Sequence, residues 1–197
     1  MAEESGGNIG IHKEESRQLI LKIMKPKILL LNPPGKYLYV RDYFCSKISK
    51  ADYINAPIDL VMISGVLNTG EFELKVVDAI AEKISTADCL QKISDFNPDA
   101  IIILIGSVSL DEDKEFLKNL KEKTSAEIFA IGDFLLTESK SFLEELVFIK
   151  GVILNFISDG IYWQLKGEKE KIKDMAVRDG GEIVFYPNSA IKNFSIP

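Results

Sequence analysis

The sequence predicts an α/β fold with a doubly wound, mainly parallel sheet of five strands and a small β-hairpin extension near its C-terminus. Short apolar runs alternate with helical stretches from residue 26 onward. This alternation is typical of strands joined by crossover helices in one parallel sheet. The dipeptide Gly180-Gly181 after Asp179 lies between two short strand-like stretches, which is a strong hairpin signal.

The five predicted strands are nearly continuous apolar runs, as expected of strands covered on both faces. They span residues 26–32, 72–79, 99–106, 126–133 and 150–156. The third, DAIIILIG, is the most hydrophobic of the five. We therefore expect it to lie at the centre of the sheet.

The predicted helices lie between these strands. Residues 57–70 place Ile58, Val61, Met62 and Val66 on one stripe, which we expect to be buried, and Gly70 offers a left-handed stop. Residues 86–97 form a helix with Thr86 as its N-cap. Residues 107–123 form one in which Ser109 and Glu112 have capping-box spacing, and residues 138–147 complete the set.

The two ends of the chain have a different character. Residues 1–25 are predicted to be an N-terminal extension, with Leu19, Ile20 and Ile23 at helical spacing. That segment reads either as a mobile tail or as a docking helix. The main domain is predicted over residues 26–170, and a hairpin and connector over residues 171–197.

Composition excludes several classes of function. Twenty-four basic and thirty acidic residues give a net charge of −6, which argues against a nucleic-acid or anionic-membrane surface. No apolar segment approaches the ~20 residues of a spanning helix, and no secretion signal opens the chain. Cys45 and Cys89 lie far apart, so reduced thiols in a cytoplasmic protein are expected.

Catalytic and nucleotide-binding motifs are missing from the sequence. The single histidine, His12, lies in the polar N-terminal segment, so the core cannot build a Ser-His-Asp or Cys-His arrangement. No glycine-rich dinucleotide fingerprint or P-loop is present. Acidic residues at 111–113 are explained by a helix start. The chain is therefore not expected to be a self-sufficient enzyme.

Two features nevertheless indicate a binding site. Ligands of open parallel sheets bind beyond the carboxyl ends of the strands, and four of the five predicted ends carry small residues and glycines, although short turns favour these residues anyway. The second feature is the long connection over residues 33–56, which holds four of the chain's six tyrosines. Loops of this length usually have a function.

The order of the motifs resembles the cobalamin-binding domain that precedes the catalytic barrel in a large class of radical SAM enzymes. The matching signals are a strand ending in Asn-Pro-Pro, a helix begun by Pro and closed by Gly, a strand ending in Asp, and Pro-Asp before the central strand. In this chain they are Asn32, Pro33, Pro34, Pro57, Gly65, Asp78, Pro98 and Asp99. The resemblance covers residues 26–197.

The resemblance implies a Rossmann-like, flavodoxin-type fold that carries cobalamin across its strand ends. The corrin ring would lie on the loops after strands one, three and four. The implied cofactor-binding residues are Asn32, Pro33, Pro34, Gly35, Tyr37, Asp78, Ser107, Val108, Ser109, Gly132, Asp133 and Phe134, with Ser158 and Asp159 as weaker candidates. Tyr37, Tyr39 and Tyr43 are expected to wall the lower face of the corrin or a partner barrel.

Departures from the family pattern qualify what the resemblance implies. No histidine follows the first strand, so cobalt would be bound without a protein imidazole, and no metal ligand is nominated. Two cysteines cannot hold a [4Fe–4S] cluster, so the cluster and S-adenosylmethionine would belong to a longer chain or to a barrel in trans. One alternative is a degenerate interaction or regulatory domain that binds no cobalamin. Another, a flavin enzyme, is disfavoured because the first turn lacks a phosphate loop.

Overall fold

A computed structural model describes residues 25–50 and 54–187, and its main feature is one seven-stranded sheet. The strands of that sheet are β1 (Lys27–Asn32), β4 (Glu73–Asp78), β5 (Ala100–Leu104), β6 (Glu127–Ile131), β7 (Ile149–Ile153), β8 (Met175–Asp179) and β9 (Glu182–Tyr186). The two-residue strands β2 (Tyr39–Val40) and β3 (Lys47–Ile48) form a separate antiparallel ribbon.

Five α-helices are described. They are α1 (Ile58–Leu67), α2 (Thr86–Phe96), α3 (Leu110–Lys121), α4 (Leu135–Glu145) and α5 (Gly160–Lys166). A single 3-10 turn over Ser107–Ser109 leads into α3, and another over Lys169–Lys171 follows α5. Each of the five parallel strands is separated from the next by a helix, as the sequence pattern predicts.

The strand order identifies a flavodoxin-type sheet. It runs β4-β1-β5-β6-β7-β8-β9, with the first five strands parallel. The order reverses between β1 and β5, and this is the point where ligands of doubly wound sheets bind. The prediction of a Rossmann-like, mainly parallel sheet is confirmed, and β5 lies at the centre of the parallel part. The hairpin β8–β9 pairs antiparallel with β7, so it widens the predicted five-stranded sheet to seven strands.

Alternation along the strands builds one core on each face of the sheet. Leu29 and Leu31 pack with helices α2, α3 and α4. Ile28 and Leu30 face the other way, toward α1 and α5. Because side chains of a strand alternate between the two faces of a sheet, every apolar residue of β1 is buried in one core or the other. This two-sided burial is the physical reason for the continuous apolar runs in the sequence.

Helix α1 buries a different face from the one predicted. Leu60, Ile63 and Leu67 are buried, whereas Ile58, Val61 and Met62 are exposed and Val66 is only partly covered. The predicted stripe is therefore wrong. The helix is apolar on all sides, so its periodicity selects no face, and contact with the sheet decides which residues are covered.

Smaller features of the helix ends also differ from expectation. The N-cap of α2 is Ser85 rather than Thr86, and the Ser85 hydroxyl accepts a hydrogen bond from the Asp88 amide. Gly70 adopts a left-handed conformation, but it lies beyond the end of α1. At the hairpin, Gly180 and Gly181 both have positive φ, as a two-residue turn requires. Among residues 25–50 and 54–187, no helix combines the length and apolarity that crossing a membrane requires.

Two glycines give opposite predictions for alanine substitution. At Gly132 a Cβ would lie 1.7 Å from the carbonyl oxygen of Ile105, so Gly132→Ala should force the ends of β5 and β6 apart. We expect a loss of roughly 2–3 kcal/mol in the free energy of unfolding. At Gly65, inside α1, a Cβ meets nothing within 4 Å, and Gly65→Ala should add about 0.5–1 kcal/mol. Urea unfolding of the two variants measures both effects, and equal effects would contradict this interpretation.

Candidate functional site at the strand ends

A covering loop, residues 33–50, lies across the carboxyl ends of the parallel strands. It contacts the segment after β5 through Arg41 and Ser46, the end of β6 through Ser46, and the end of β7 through Tyr43. The β2–β3 ribbon is the only regular structure within this loop. The long connection in the sequence is therefore an ordered cover over the region where a ligand of this fold would be expected.

Arg41 fills the point of strand reversal between β1 and β5. It is 3% exposed, and all five of its N–H groups donate hydrogen bonds at 2.6–3.3 Å. The acceptors are the side chains of Asn32, Ser109 and Asp113 and the carbonyl oxygens of Pro33 and Pro34. The Asn-Pro-Pro turn thus presents its carbonyl groups to a buried guanidinium.

Asp113 carries the countercharge. Its Oδ1 lies 2.6 Å from Nη2 of Arg41, and neither side chain is exposed. Its Oδ2 accepts hydrogen bonds from the Ser109 hydroxyl at 2.7 Å and from the Gly106 amide at 2.9 Å. The predicted capping box is therefore wrong, because Ser109 makes no side-chain cap on α3 and Glu112 bonds elsewhere. A charge in the first turn of α3 neutralises Arg41 as well as complementing the helix dipole.

A second cluster joins the loop to β5 and β6. Asp133 accepts hydrogen bonds from the Ser46 amide at 2.8 Å and from the Ser107 amide at 3.0 Å. The hydroxyls of Ser46 and Ser107 also donate to it, and the Val108 amide donates to the Ser46 hydroxyl. Burial raises the pKa of Asp133, but the hydrogen bonds from Ser107 and Ser46 outweigh it, so the net pKa is lowered. The carboxylate is held ionised.

The start of the covering loop is fixed to α3 by Glu112. Its carboxylate accepts hydrogen bonds from the Lys36 amide at 3.0 Å and the Tyr39 hydroxyl at 2.9 Å. Burial and the hydrogen bond to Glu112 raise the pKa of Tyr39 to about 12. The ring of Tyr39 lies against Gly35, where a Cβ would come within 2.4 Å of it. Gly35 therefore has a packing role independent of any ligand.

The far end of the loop forms an aromatic cluster over β7. The ring centroid of Tyr43 lies 4.9 Å from that of Phe156 and 5.1 Å from that of Phe44, both edge-to-face. The Tyr43 hydroxyl donates to the carbonyl of Leu154. Of the three loop tyrosines nominated to wall a ligand, Tyr39 is buried, Tyr43 half-buried and Tyr37 exposed.

Beneath Tyr43 lies Asp59, a buried carboxyl in the first turn of α1. It is 2% exposed, and its Oδ2 has no hydrogen-bond partner. Burial, with a smaller contribution from the negative charge of Asp42, raises the pKa of Asp59 to about 6, although a hydrogen bond from the Tyr43 amide opposes the shift. Asp59 therefore changes charge within an accessible pH range.

Of the remaining nominated residues, Asp78 joins the Arg41 cluster through Asn32, and Phe134, Ser158 and Asp159 bond or pack elsewhere. Asp78, at the end of β4, accepts hydrogen bonds from the Asn32 side chain and the Ala81 amide. Phe134 packs edge-to-face on Phe142, toward the core. The remaining pair, residues 158–159, lies at the start of α5. The Ser158 hydroxyl accepts from the Gly160 amide, and Asp159 pairs with Lys173 at 2.7 Å and accepts from Trp163.

Two clefts open beside the covering loop, and the second is lined in part by Asn32 and Arg41 at the point of strand reversal. One of about 450 Å³ lies between the loop start and the first residues of α2 and α3, lined by Gly35, Thr86 and Glu112 among others. The other, of about 380 Å³, lies between the β2–β3 ribbon and the start of α1. Both fall in the size range of small-ligand sites, and both are small for a corrinoid.

The outer surface of this face is partly apolar. Exposed apolar side chains are contributed by the covering loop and by the segments after β5, β6 and β7. They are Tyr37, Phe44, Val108, Leu136 and Ile157. We call this set the strand-end surface. Phe44 is 77% exposed, which is unusual for a phenylalanine whose ring also contacts two other aromatic rings.

Arg41 and Ser46 were missed by sequence reasoning, although they organise the site. Arg41 is the single arginine of a loop that follows Asn-Pro-Pro, and its partner Asp113 already had an explanation as a helix-start acid. A local pattern cannot pair two residues that are 72 positions apart. The available signal was that this loop offers a single arginine and the turn before it offers unpaired carbonyl groups.

Comparisons with known proteins show which solved structures share this fold. The radical S-adenosylmethionine methyltransferase TsrM from Kitasatospora setae, solved with cobalamin and a [4Fe–4S] cluster, matches with a TM-score of 0.61 and 17% identity over 83% of this chain. The cobalamin-dependent S-adenosylmethionine radical enzyme OxsB, solved with aqua-cobalamin and S-adenosylmethionine, matches with a TM-score of 0.63 and 13% identity over 87% of it.

The likeness has defined limits. At 13–17% identity, the likeness shows only that this chain shares its fold with part of these two cobalamin-dependent enzymes. The chain spans 31% of the TsrM chain and 23% of the OxsB chain. No protein-family model matches the sequence, and no curated protein sequence matches it either.

The buried ion pair yields a stability prediction. Arg41→Met leaves Asp113 buried without its countercharge, and we expect a loss of roughly 3–5 kcal/mol in the free energy of unfolding. The double variant Arg41→Met, Asp113→Asn removes both charges and keeps an acceptor for the Gly106 amide, so it should recover much of that loss. Urea unfolding gives the values.

The matched control for this pair is Lys140→Met, which breaks the exposed Lys140–Glu144 pair. It should cost less than about 0.5 kcal/mol. A loss of that size for Arg41→Met as well would contradict the proposed role of the buried pair.

A second prediction concerns pH. The pKa of Asp59 is about 6 in the folded protein and 3.8 as its ordinary value. Between these values the folded protein retains a proton that the unfolded chain has lost, so the free energy of unfolding falls as pH rises from ~4 to ~6. Asp59→Asn removes this loss and should stabilise the protein by roughly 1–3 kcal/mol near pH 8.

Urea unfolding near pH 5 and pH 8 checks the sign and size of the Asp59 effect. The gain should shrink at the lower pH. The exposed Asp95→Asn serves as control, with changes within about 0.5 kcal/mol at both pH values. An Asp59→Asn variant less stable than the parent at high pH would show that the charged carboxylate is stabilising.

Proposed function

We propose that this chain is the cobalamin-carrying domain of a radical SAM enzyme, which presents a corrinoid to a catalytic barrel supplied in cis or in trans. The observation that carries the proposal is the fold of the flavodoxin-type sheet, which matches two structures solved with cobalamin over more than four-fifths of this chain. In such sheets the carboxyl ends of the strands are the binding edge. The chain has two cysteines, so a [4Fe–4S] cluster and bound S-adenosylmethionine would belong to the barrel.

The fit of a corrinoid to this face is uneven. At the point of strand reversal, a nucleotide tail would have to compete with the buried Arg41, whose donors are all bonded to the protein. The strand-end surface, in contrast, offers exposed aromatic and aliphatic side chains that suit a flat, largely apolar ring. The corrin would therefore lie on the outside of the covering loop, against Tyr37, Phe44 and Val108.

The chain's own residues would act by holding that surface in place. Ser46, Ser107 and Asp133 tie the loop to β5 and β6, and Glu112 ties its start to α3. When bound, cobalamin supplies methyl-transfer or related radical chemistry in the enzymes of the resembled family. Substrate choice would be made by the barrel.

A second candidate function follows from the filled crevice. Because Arg41 replaces a ligand at the usual binding position, the domain is also suited to act as an interaction or regulatory module that binds no cobalamin. In that role the strand-end surface would contact a partner barrel directly. The loop would then cover the strand ends whether or not a ligand is present, and the buried Arg41–Asp113 pair would keep it rigid.

Cofactor retention distinguishes the two candidates. The protein is mixed with hydroxocobalamin, free cofactor is removed by desalting, and the visible spectrum is recorded. Under the first proposal corrin absorption stays with the protein, and Phe44→Ser with Val108→Ser lowers the retained fraction several-fold because apolar contact area is lost. Val147→Ser is the control, since the exposure of Val147, 66%, lies between those of Phe44 and Val108, and Val147 precedes β7 at the opposite ends of the strands.

The outcomes separate cleanly. No retained absorption in the parent protein would reject the cofactor proposal for this chain and favour the interaction module. Retention that Phe44→Ser and Val108→Ser do not weaken, relative to Val147→Ser, would show that cobalamin binds elsewhere on the molecule.

A further inference from the structure

The far end of the covering loop is a short segment between two fixed residues. Arg41 is buried with all of its donors bonded, and the Ser46 amide donates to Asp133 at 2.8 Å. Residues 42–45 lie between them and are held over the end of β7 through Tyr43, whose hydroxyl donates to a carbonyl group just after that strand. This segment can therefore open locally while both of its neighbours stay in place.

Asp59 lies where this segment contacts helix α1. Its side chain is 2% exposed and accepts a hydrogen bond from the Tyr43 amide, but its Oδ2 has no hydrogen-bond partner. A carboxylate that is buried and ionised is costly unless a countercharge or several donors satisfy it. The closed segment therefore favours the protonated form of Asp59 over the anion.

The acidic groups of the surrounding segments add to this cost. On the covering loop, the negative charge of Asp42 disfavours the ionised form of Asp59. Burial, and then the charges of Asp174 and Asp59, raise the pKa of Tyr43, which places the buried Asp174 of the segment before β8 near the same ring. The segment after β7 contributes a carbonyl group and the ring of Phe156, and Asp59 is the only charged residue of α1.

The neighbouring cations bond to other groups or face solvent. Arg41 pairs with Asp113 at 2.6 Å, and Lys173, in the segment before β8, pairs with Asp159 at 2.7 Å. Lys47 lines the second cleft, where its side chain is exposed. In the part of the chain that the structure describes, no ion pair includes the α1 carboxyl. Its negative charge is therefore not neutralised by any of these groups.

We propose that the protonation state of Asp59 sets how often residues 42–45 open from their place over β7. The segment stays closed while the carboxyl carries its proton. When the proton is lost to solvent, opening at Tyr43 lets water reach the charge, so the open state gains population although the closed state remains the main one. Phe44 of the strand-end surface lies in this segment, so pH changes the mobility of that surface. This control operates whichever partner contacts the surface, so it does not rest on the proposed function.

The direction of the effect follows from two pKa values of Asp59. Burial, with a smaller contribution from Asp42, raises the pKa to about 6 in the closed state, and the ordinary value of 3.8 applies once the segment is open to water. Because the closed state binds the proton more tightly, the equilibrium constant for opening rises with pH between ~4 and ~6. The rise is at most roughly 100-fold, since the two pKa values differ by about two units.

Amide hydrogen exchange of Tyr43 measures this opening. After correction for the intrinsic exchange rate, the Tyr43 amide should be roughly 10- to 25-fold less protected at about pH 7.5 than at about pH 4.5. The internal controls are the amides of Lys36 and Ser46, which donate to Glu112 and Asp133. Burial raises the pKa of both carboxyls, but the hydrogen bonds that they accept outweigh it and lower the net pKa. Both control amides should therefore change by less than about 3-fold.

Two variants assign the effect to one carboxyl. Asp59→Asn keeps the size of the side chain and cannot ionise, so the pH dependence at Tyr43 should disappear. Asp174→Asn is the matched control, because it removes the other buried carboxyl near this ring, and it should retain the pH dependence. Loss of the pH dependence in Asp174→Asn, or its persistence in Asp59→Asn, would overturn the assignment to Asp59. Equal changes at Tyr43 and the two control amides, or free-peptide exchange at Tyr43 at both pH values, would overturn local opening altogether.

Discussion

The structure of the strand-end face depends on the buried contact between Arg41 and Asp113. An ionised guanidinium inside a protein is costly unless every donor is satisfied and a countercharge lies close. Here the Asn-Pro-Pro turn, the Ser109 hydroxyl and the Asp113 carboxylate supply all of the acceptors. Because these acceptors come from two separate segments, the end of β1 and the start of α3, the side chain of Arg41 fixes both of them to its own loop.

The prolines, glycines and serines at the strand ends, which in the sequence suggested a ligand site, have structural roles in this arrangement. Prolines 33 and 34 remove amide donors from a phosphate cradle, but their carbonyl groups become acceptors for Arg41. Gly132 is required by the carbonyl of Ile105, and Ser107 is occupied by Asp133. Residues that have the composition of a binding site are thus already bonded to the protein itself.

The fold could be predicted from the sequence because its main signals are local. Each parallel strand is a continuous apolar run with a turn at its end, and this pattern follows from burial on both faces. The pairing of the hairpin with β7 was not predicted, because a hairpin signal describes two strands and not their neighbours. The prediction of which face of α1 is buried was wrong for a related reason. The sequence of a helix that is apolar on all sides does not indicate which side packs on the sheet.

The site could be predicted only as a location. The carboxyl ends of parallel strands always meet at one edge, so residues such as Ser107 and Asp133 were expected to lie close together, and they do. What fills that edge was not readable, because it depends on a loop that crosses four strands and on a pairing between distant residues. Asp113 had a sufficient local explanation at the helix start, which concealed its role as a countercharge.

The strand-end surface combines a fixed shape with exposed side chains. It lies on loops held by buried polar bonds, so its backbone is held in place while Tyr37, Phe44 and Val108 remain exposed. The exposed apolar side chains of α1 have a different origin, because Ile58, Val61 and Met62 lie on a helix that packs its other face on the sheet. Apolar side chains on a rigid loop can meet a partner without an ordering cost for the loop.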